Sequence, residues 1–172
     1  MVTVTLRLAN QADIAMLKAW DEEPHVKFSD PKAGDGSSWD WDEEIEAGWD
    51  GYWHFVAEAD GTSIGFVQVI DPHVEHSQYW GPMSAGYRAI DIWIGPADWL
   101  GKGAGTEIMR QALAFCFADA GVHTILIDPI ETNTRAHRFY QQCGFTPVGP
   151  RDFDGDRCLV HELKRADWHT GT

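Results

Sequence analysis

Long apolar runs, cysteines and basic residues are all scarce in this sequence of 172 residues. No stretch approaches the roughly 18 apolar residues that a membrane-spanning helix needs, so no span is predicted. The first residues lack the basic start and apolar block of a signal peptide, which favours a cytoplasmic protein. The three cysteines (Cys116, Cys143 and Cys158) have no metal-ligand spacing, so we expect reduced thiols and no metal site.

The charge is strongly one-sided, with 27 acidic residues against 13 basic ones and a formal net charge of −14. A chain with this charge repels nucleic acids and anionic membranes, so neither is expected as a partner. Its field would attract cations, although solubility alone also explains such a charge.

The sequence contains no internal repeat and no linker, which predicts one domain over residues 1–172. Strand-like and helix-like patterns alternate along the chain. Strands are predicted at 4–10, on both sides of an Asp60-Gly61 turn within 53–72, at 89–95, at 123–130 and as two strands around 153–163. Helices are predicted at 11–22, after a loop within 29–53, from the glycine-rich segment at 101–105 to about residue 120, and at 133–145. The order predicts a mixed α/β or α+β domain.

The segment "LGKGAGT" (100–106) places Gly101, Gly103 and Gly105 directly before a strongly amphipathic helix. Glycines at a helix start let the backbone N–H groups approach a phosphate, but they also suit a tight strand–helix connection. No Gly-Lys-Ser/Thr ending is present, so the segment is not a Walker loop. Taken alone, it leaves both interpretations open.

A second segment, "NTRAHRFYQQCGF" (133–145), has the form N-x-x-A-x-x-x-Y-x-x-x-G-F. Together with "AIDIWIG" and "LGKGAGT", it resembles the GCN5-related N-acetyltransferases in motif and in element order. The resemblance implies a mixed sheet of six to seven strands with a splayed central pair, flanked by about four helices. One departure is Leu100, where the family usually has Gln or Arg.

The resemblance also implies acetyl-CoA as co-substrate, without a metal. The residues it assigns to the coenzyme are Gly101, Lys102, Gly103, Ala104, Gly105 and Thr106 for the pyrophosphate, Ile92, Trp93 and Ile94 for the pantetheine arm, and Asn133 and Tyr140. Tyr140 is predicted to donate a proton to the departing thiolate. Asn133 also suits the N-cap of its helix.

An ammonium acceptor must lose a proton before it can attack the thioester, so a carboxylate is needed near the splayed strands. Asp91 interrupts an apolar strand, and Asp128 ends another at the edge where ligands gather. Segments including "ID" (90–91) and "DP…N" (128–133) resemble the aminoglycoside 6'-N-acetyltransferases. That resemblance implies Asp91 as the base and Asp91 and Asp128 as contacts of a cationic amine. Two further substrate contacts are predicted from the residues themselves: Glu75, in a loop expected to line the acceptor site, and Trp41, in an acidic segment where its ring could form a flat wall for a sugar.

Other functions stay open at this stage. The segment "W…PHV" also occurs in acyltransferases that modify hydroxylated lysine during siderophore assembly, and acylation of a protein amino terminus is a third option. A non-catalytic module that binds acetyl-CoA or aminoglycosides is the alternative outside catalysis. The leading prediction, implied by the resemblance, is acetyl transfer to a primary amine of a cationic small molecule, above all the 6'-amine of an aminoglycoside, by a monomer or a homodimer.

Overall fold

The computed structural model describes residues 3–30 and 39–169. The strands are β1 (Val4–Leu8), β2 (Tyr52–Ala59), β3 (Thr62–Ile70), β4 (Tyr87–Ile94), β5 (Thr124–Ile127), β6 (Thr146–Phe153) and β7 (Asp156–Lys164). The α-helices are α1 (Ile14–Asp21), α2 (Pro24–Ser29), α3 (Trp41–Glu46), α4 (Ala104–Ala118) and α5 (Thr134–Gln142). All seven strands form one sheet in the order β1-β2-β3-β4-β5-β7-β6, and only the β4–β5 pair is parallel among the described pairings.

The hairpin of β2 and β3 forms at the predicted turn. Asp60 and Gly61 have φ values of +50° and +77°, as the two central residues of a type I′ turn require. The turn fixes the register that pairs Ala59 with Thr62. Residues 64–70 of β3 are all buried, which places this strand in the middle of the fold.

Apolar side chains cover both faces of the central strands. On one face, α4 packs Ile108, Met109 and Ala112 against the sheet in the main core cluster. On the other face, Leu17 of α1 and Trp41 of α3 pack with Phe66 of β3. Because successive side chains of a strand point to opposite faces, one strand supplies both clusters.

The N-terminal connection is fixed by polar contacts. Asn10 accepts a hydrogen bond from the N–H of Ala12 at 2.9 Å, and the buried carboxylate of Asp13 accepts two from Arg7 at 2.7 and 2.8 Å. These contacts start α1 so that Ile14, Leu17 and Trp20 face inward, as the sequence pattern predicted.

The predicted fold class is confirmed, with one helix more than expected. The sequence indicated about four helices, whereas five α-helices occur within the described residues, and the six-residue α2 was not predicted. Part of the predicted loop at 29–53 lies outside the described residues. In the described part of the chain, no helix is long and apolar enough to cross a membrane.

Candidate active site

A cleft opens where β4 and β5 separate. The two strands pair only at Tyr87–Thr124, Arg88–Ile125 and Ala89–Leu126, whereas β4 continues to Ile94 paired with β3 alone. The side of β4 that faces β5 therefore carries main-chain groups without a strand partner beyond Ala89. The cavity that follows has a volume of about 890 Å³ and extends from the glycine loop to the ends of β5 and β7.

The glycine loop forms one end of this cavity. Gly101 and Gly103 have φ values of +73° and +83°, a left-handed conformation that favours glycine. Gly103 is the N-cap of the 15-residue α4 and provides no side-chain acceptor for the first N–H groups of the helix, which lack intrahelical partners as in any α-helix. The positive end of the helix dipole and these donors together suit an anion, and we call this helix start the glycine cradle.

Gly105 and Lys102 have different surroundings from the two left-handed glycines. A Cβ at Gly105 would lie 3.5 Å from the ring of Phe139, an ordinary contact distance, so its lack of a side chain is not required there. The ammonium of Lys102 lies 5.6 Å from the ring centroid of Trp99. Ala104 is buried under the helix start, whereas Thr106 lines the cavity.

The predicted pantetheine segment lies along the open edge of β4. Ile92 and Ile94 pack on the main core, and Trp93 packs on the opposite face at 4.8 Å from the ring centroid of Phe66. Nε2 of His25 donates to the carbonyl of Ile94 at 2.8 Å. The unpredicted helix α2 therefore binds to β4 and takes up one of the main-chain acceptors in this segment.

Helix α5 brings Tyr140 to the cavity. Asn133 caps the helix by accepting a hydrogen bond from the N–H of Ala136 at 3.1 Å, in accord with its predicted capping role. Tyr140 is buried, and burial, followed by the charges of Asp91 and Asp128, raises its pKa above the usual range. Its hydroxyl is therefore protonated at neutral pH and available as a donor.

Two carboxylates from neighbouring strands lie in the same cavity. Burial raises the pKa of Asp91 to about 8, and the charge of Asp128 adds to the rise. Burial also raises the pKa of Asp128, opposed by the hydroxyl of Tyr79, which donates to Oδ2 at 2.6 Å. The pair thus holds a proton in the free protein, and a cation bound between the two carboxylates would favour their ionised forms.

The rest of the lining is acidic and aromatic. Eight carboxylates and one arginine are among the described lining residues: Asp21, Asp30, Glu44, Glu75, Asp91, Asp128, Asp154 and Asp156, with Arg135. The excess of negative charge that the composition shows is thus also a property of this cavity. Such a lining attracts and orients a polycation.

Glu75 and Trp41, both predicted as substrate contacts, line the cavity but are almost fully buried. The carboxylate of Glu75 accepts from Ser77 Oγ at 2.7 Å and from the N–H of Trp80 at 3.1 Å, which fixes the loop between β3 and β4. The indole of Trp41 donates to Asp21 at 2.5 Å. Both side chains therefore support the walls of the cavity through contacts within the chain.

Tyr79 is a site residue that sequence reasoning missed. It lies in the loop between β3 and β4, and no local sequence pattern marks it. Its contact partner lies 49 residues away, so only the folded chain brings the two together. No cluster of His, Cys, Asp or Glu that could hold a metal ion is found in residues 3–30 and 39–169.

Comparison with known proteins adds to this geometry. Residues 9–153 match the family described as an acetyltransferase (GNAT) domain. An aminoglycoside N(6')-acetyltransferase type 1 of Klebsiella pneumoniae is 31% identical over 162 residues, which cover 86% of this chain and 80% of that protein. A kanamycin resistance protein of Rhizobium radiobacter is 36% identical over 102 residues, covering 55% of this chain and 94% of that protein.

Solved structures agree with the sequence relatives. The aminoglycoside acetyltransferase AAC(6')-Ib in complex with coenzyme A and kanamycin superposes with a TM-score of 0.83 and 25% identity, covering 96% of each chain. The separated strands, the glycine cradle at α4 and Tyr140 on α5 thus occur in a chain whose sequence and fold both match one family. The protein belongs to the GNAT acetyltransferases and is a relative of the aminoglycoside N(6')-acetyltransferases.

Proposed function

We propose that this protein transfers the acetyl group of acetyl-CoA to the 6'-amine of aminoglycosides, and so confers resistance to them. The observation that carries the proposal is the pair Asp91 and Asp128 in an acidic cavity at the open edge of β4. A polyamine cation compensates the mutual repulsion of this pair, whereas a neutral or anionic acceptor does not. The neighbour with kanamycin and coenzyme A has the same fold over 96% of both chains.

The chain has a fitting place for the coenzyme. The left-handed Gly101 and Gly103 and the first N–H groups of α4 suit its pyrophosphate, with Lys102 nearby as an additional positive charge. The main-chain groups of β4 beyond Ala89 suit the amides of the pantetheine arm, much as a peptide adds to a strand. Acetyl-CoA supplies the acetyl group as a reactive thioester.

Asp91 is the proposed general base. A carboxylate of ordinary acidity is a weak base toward an ammonium, but burial raises the pKa of Asp91 to about 8, close to the working pH. Its carboxylate accepts a proton from the 6'-ammonium, and the amine nitrogen then forms the new C–N bond as the C–S bond breaks. The hydroxyl of Tyr140 donates its proton to the departing sulfur, and the second proton that the acylated nitrogen loses restores this hydroxyl. The products are the amide, the free thiol of the coenzyme and a protonated Asp91.

Asp128 is the proposed binding partner for a second region of positive charge on the acceptor. It lies at the carboxyl end of β5, and Tyr79 already occupies one of its oxygens. We assign Glu75 and Trp41 to the support of the acceptor wall, because their polar atoms contact residues of the chain itself. Asn133 is likewise assigned to capping α5.

The same charges bear on location and partners. Because the net charge is −14, we propose that the enzyme acts on small cationic amines and binds neither nucleic acid nor an anionic membrane surface. We also propose that it is cytoplasmic.

The test is a thiol-release assay with acetyl-CoA and three kinds of acceptor: kanamycin, an aminoglycoside that carries a 6'-hydroxyl, and lysine derivatives. We expect release with kanamycin alone. Asp91→Asn should lower kcat and remove the acid limb of the pH profile of kcat/KM, whereas Asp128→Asn should mainly raise KM for kanamycin. Release with lysine derivatives and none with kanamycin would reject the aminoglycoside assignment in favour of a lysine-type acyltransferase.

A further inference from the structure

The loop between β3 and β4 places Tyr79 against one oxygen of Asp128. The hydroxyl of Tyr79 donates to Oδ2 at 2.6 Å, and its ring lies parallel to that of Phe153, with centroids 4.6 Å apart and an angle of 10°. Tyr79 thus connects the loop between β3 and β4 to the ends of β5 and β6.

Packing holds the tyrosine ring in this position. Phe153 is buried, its ring lies 5.0 Å from that of Trp80, and the guanidinium of Arg151 lies 4.6 Å from its centroid. Arg151 also donates to the carbonyl of Trp80 at 2.8 Å, while the buried Glu75 accepts from the N–H of Trp80. Removing the hydroxyl alone should therefore leave the ring in place.

The hydroxyl of Tyr79 contacts one of the two carboxylate oxygens of Asp128, Oδ2. Burial, together with the charge of Asp128, raises the pKa of Tyr79 above its usual range, so the hydroxyl stays a donor. A donor that stabilises the ionised carboxylate opposes the burial that favours the neutral acid. Besides Tyr79, the charged or titratable groups that face the Asp91–Asp128 pair are Asp30 after α2, Glu44 of α3, Glu75 of the loop, Tyr140 of α5, Arg151 of β6 and Cys158 of β7.

We propose that Tyr79 is a positioning residue for acceptor recognition, which holds Oδ2 of Asp128 and leaves Oδ1 to the acceptor's ammonium. The inference rests on the proposed function, in which Asp128 binds an amine of the aminoglycoside. Without the hydroxyl, the carboxylate loses one charge-assisted hydrogen bond and can rotate away from the acceptor. The base Asp91 and the acid Tyr140 keep their places.

Tyr79→Phe tests the proposal with kanamycin as acceptor. We expect KM for kanamycin to rise about tenfold, equivalent to about 1.4 kcal/mol, with kcat and KM for acetyl-CoA within about twofold of the parent. In an Asp128→Asn background, the same change should have almost no further effect, because the two groups act as one unit. Tyr87→Phe, whose ring packs on His123 away from the cavity, is the matched control.

A second measurement does not depend on the acceptor. Carbon-13 NMR of protein labelled at aspartate carboxyls, with Asp128→Asn for assignment, follows the titration of Asp128 directly. Tyr79→Phe should make this carboxyl a roughly tenfold weaker acid, and Tyr87→Phe should leave it unchanged.

The outcomes separate the two proposals. An unchanged titration of Asp128, or an equal loss of kanamycin affinity with and without Asp128, overturns the role of Tyr79. A parent enzyme that does not acetylate kanamycin rejects the proposed acceptor, while the titration still decides whether Tyr79 holds the carboxylate.

Discussion

Replacing Asp91 by asparagine should make the free protein more stable at neutral and higher pH. Asp91 keeps its proton in the folded state up to a pKa of about 8, whereas the unfolded chain loses it near pH 4. Between these values the folded state binds more protons, so stability falls as pH rises. The Asp91→Asn variant lacks this slope, and it also removes the neighbouring charge for Asp128.

The size of the effect follows from proton linkage. One group contributes at most about 1.4 kcal/mol per pH unit, so the difference between variant and parent should grow by at most about 3 kcal/mol from pH 5 to pH 7. For a chain of this length, about 3 kcal/mol corresponds to a Tm change of about 6 to 12 °C. Partial solvent access to the carboxyl and water entry into the cavity will reduce this ceiling.

Thermal unfolding followed by circular dichroism at pH 5, 6, 7 and 8 measures the effect. The comparison of variant with parent cancels the titration of groups that both proteins share. Asp60→Asn is the matched control, because it removes a carboxylate from an exposed turn whose left-handed conformation asparagine tolerates. A Tm difference between Asp91→Asn and the parent that is the same at every pH would refute the linkage.

Three further predictions concern the proposed acid Tyr140, coenzyme binding at Gly103 and the buried His161. Tyr140→Phe should lower kcat about a hundredfold and leave acetyl-CoA affinity nearly unchanged, as single-turnover kinetics and calorimetry can measure; a rate within twofold of the parent would contradict the acid role. Gly103→Val should weaken acetyl-CoA binding at least tenfold, or about 1.4 kcal/mol, as calorimetry can measure. The reason is that it forces a branched side chain to a φ of +83° in the glycine cradle. Gly61→Val, at a φ of +77° in the hairpin, is the control for backbone strain alone. Burial lowers the pKa of His161, so the folded chain resists protonation of this residue and loses stability as pH falls below about 6.5. His161→Phe should flatten this pH dependence of the unfolding free energy in urea titrations. An unchanged dependence on pH would exclude His161 as its source.

Strong local patterns allowed most of the architecture to be predicted. The Asp60-Gly61 turn, the inward stripe of α1 and the cap at Asn133 each depend on residues a few positions apart, and all three occur as expected. Helix α2 was missed because its six residues are too short for a helical period to appear, although Pro24 marks its first turn.

The candidate site was predictable only in part, and the reason is the range of its contacts. Glu75 was predicted as a substrate contact, and it lines the cavity while it also accepts hydrogen bonds within its own loop, a conformation that the letters of that loop do not reveal. Tyr79 was not singled out, because its partner is distant in sequence. Burial of Asp91, and with it the raised pKa, likewise depends on elements from all parts of the chain.

The open side of β4 affects how long the folded protein persists in a cell. A strand with unpaired main-chain groups is a template on which another chain can add, and here it lies in a cleft rather than at an outer edge of the sheet. A coenzyme that occupies this edge also protects it. At a hundred times its dissociation constant, a ligand of the folded state adds about 2.7 kcal/mol of stability. The supply of acetyl-CoA would then govern how long each enzyme molecule survives, in addition to how fast it works.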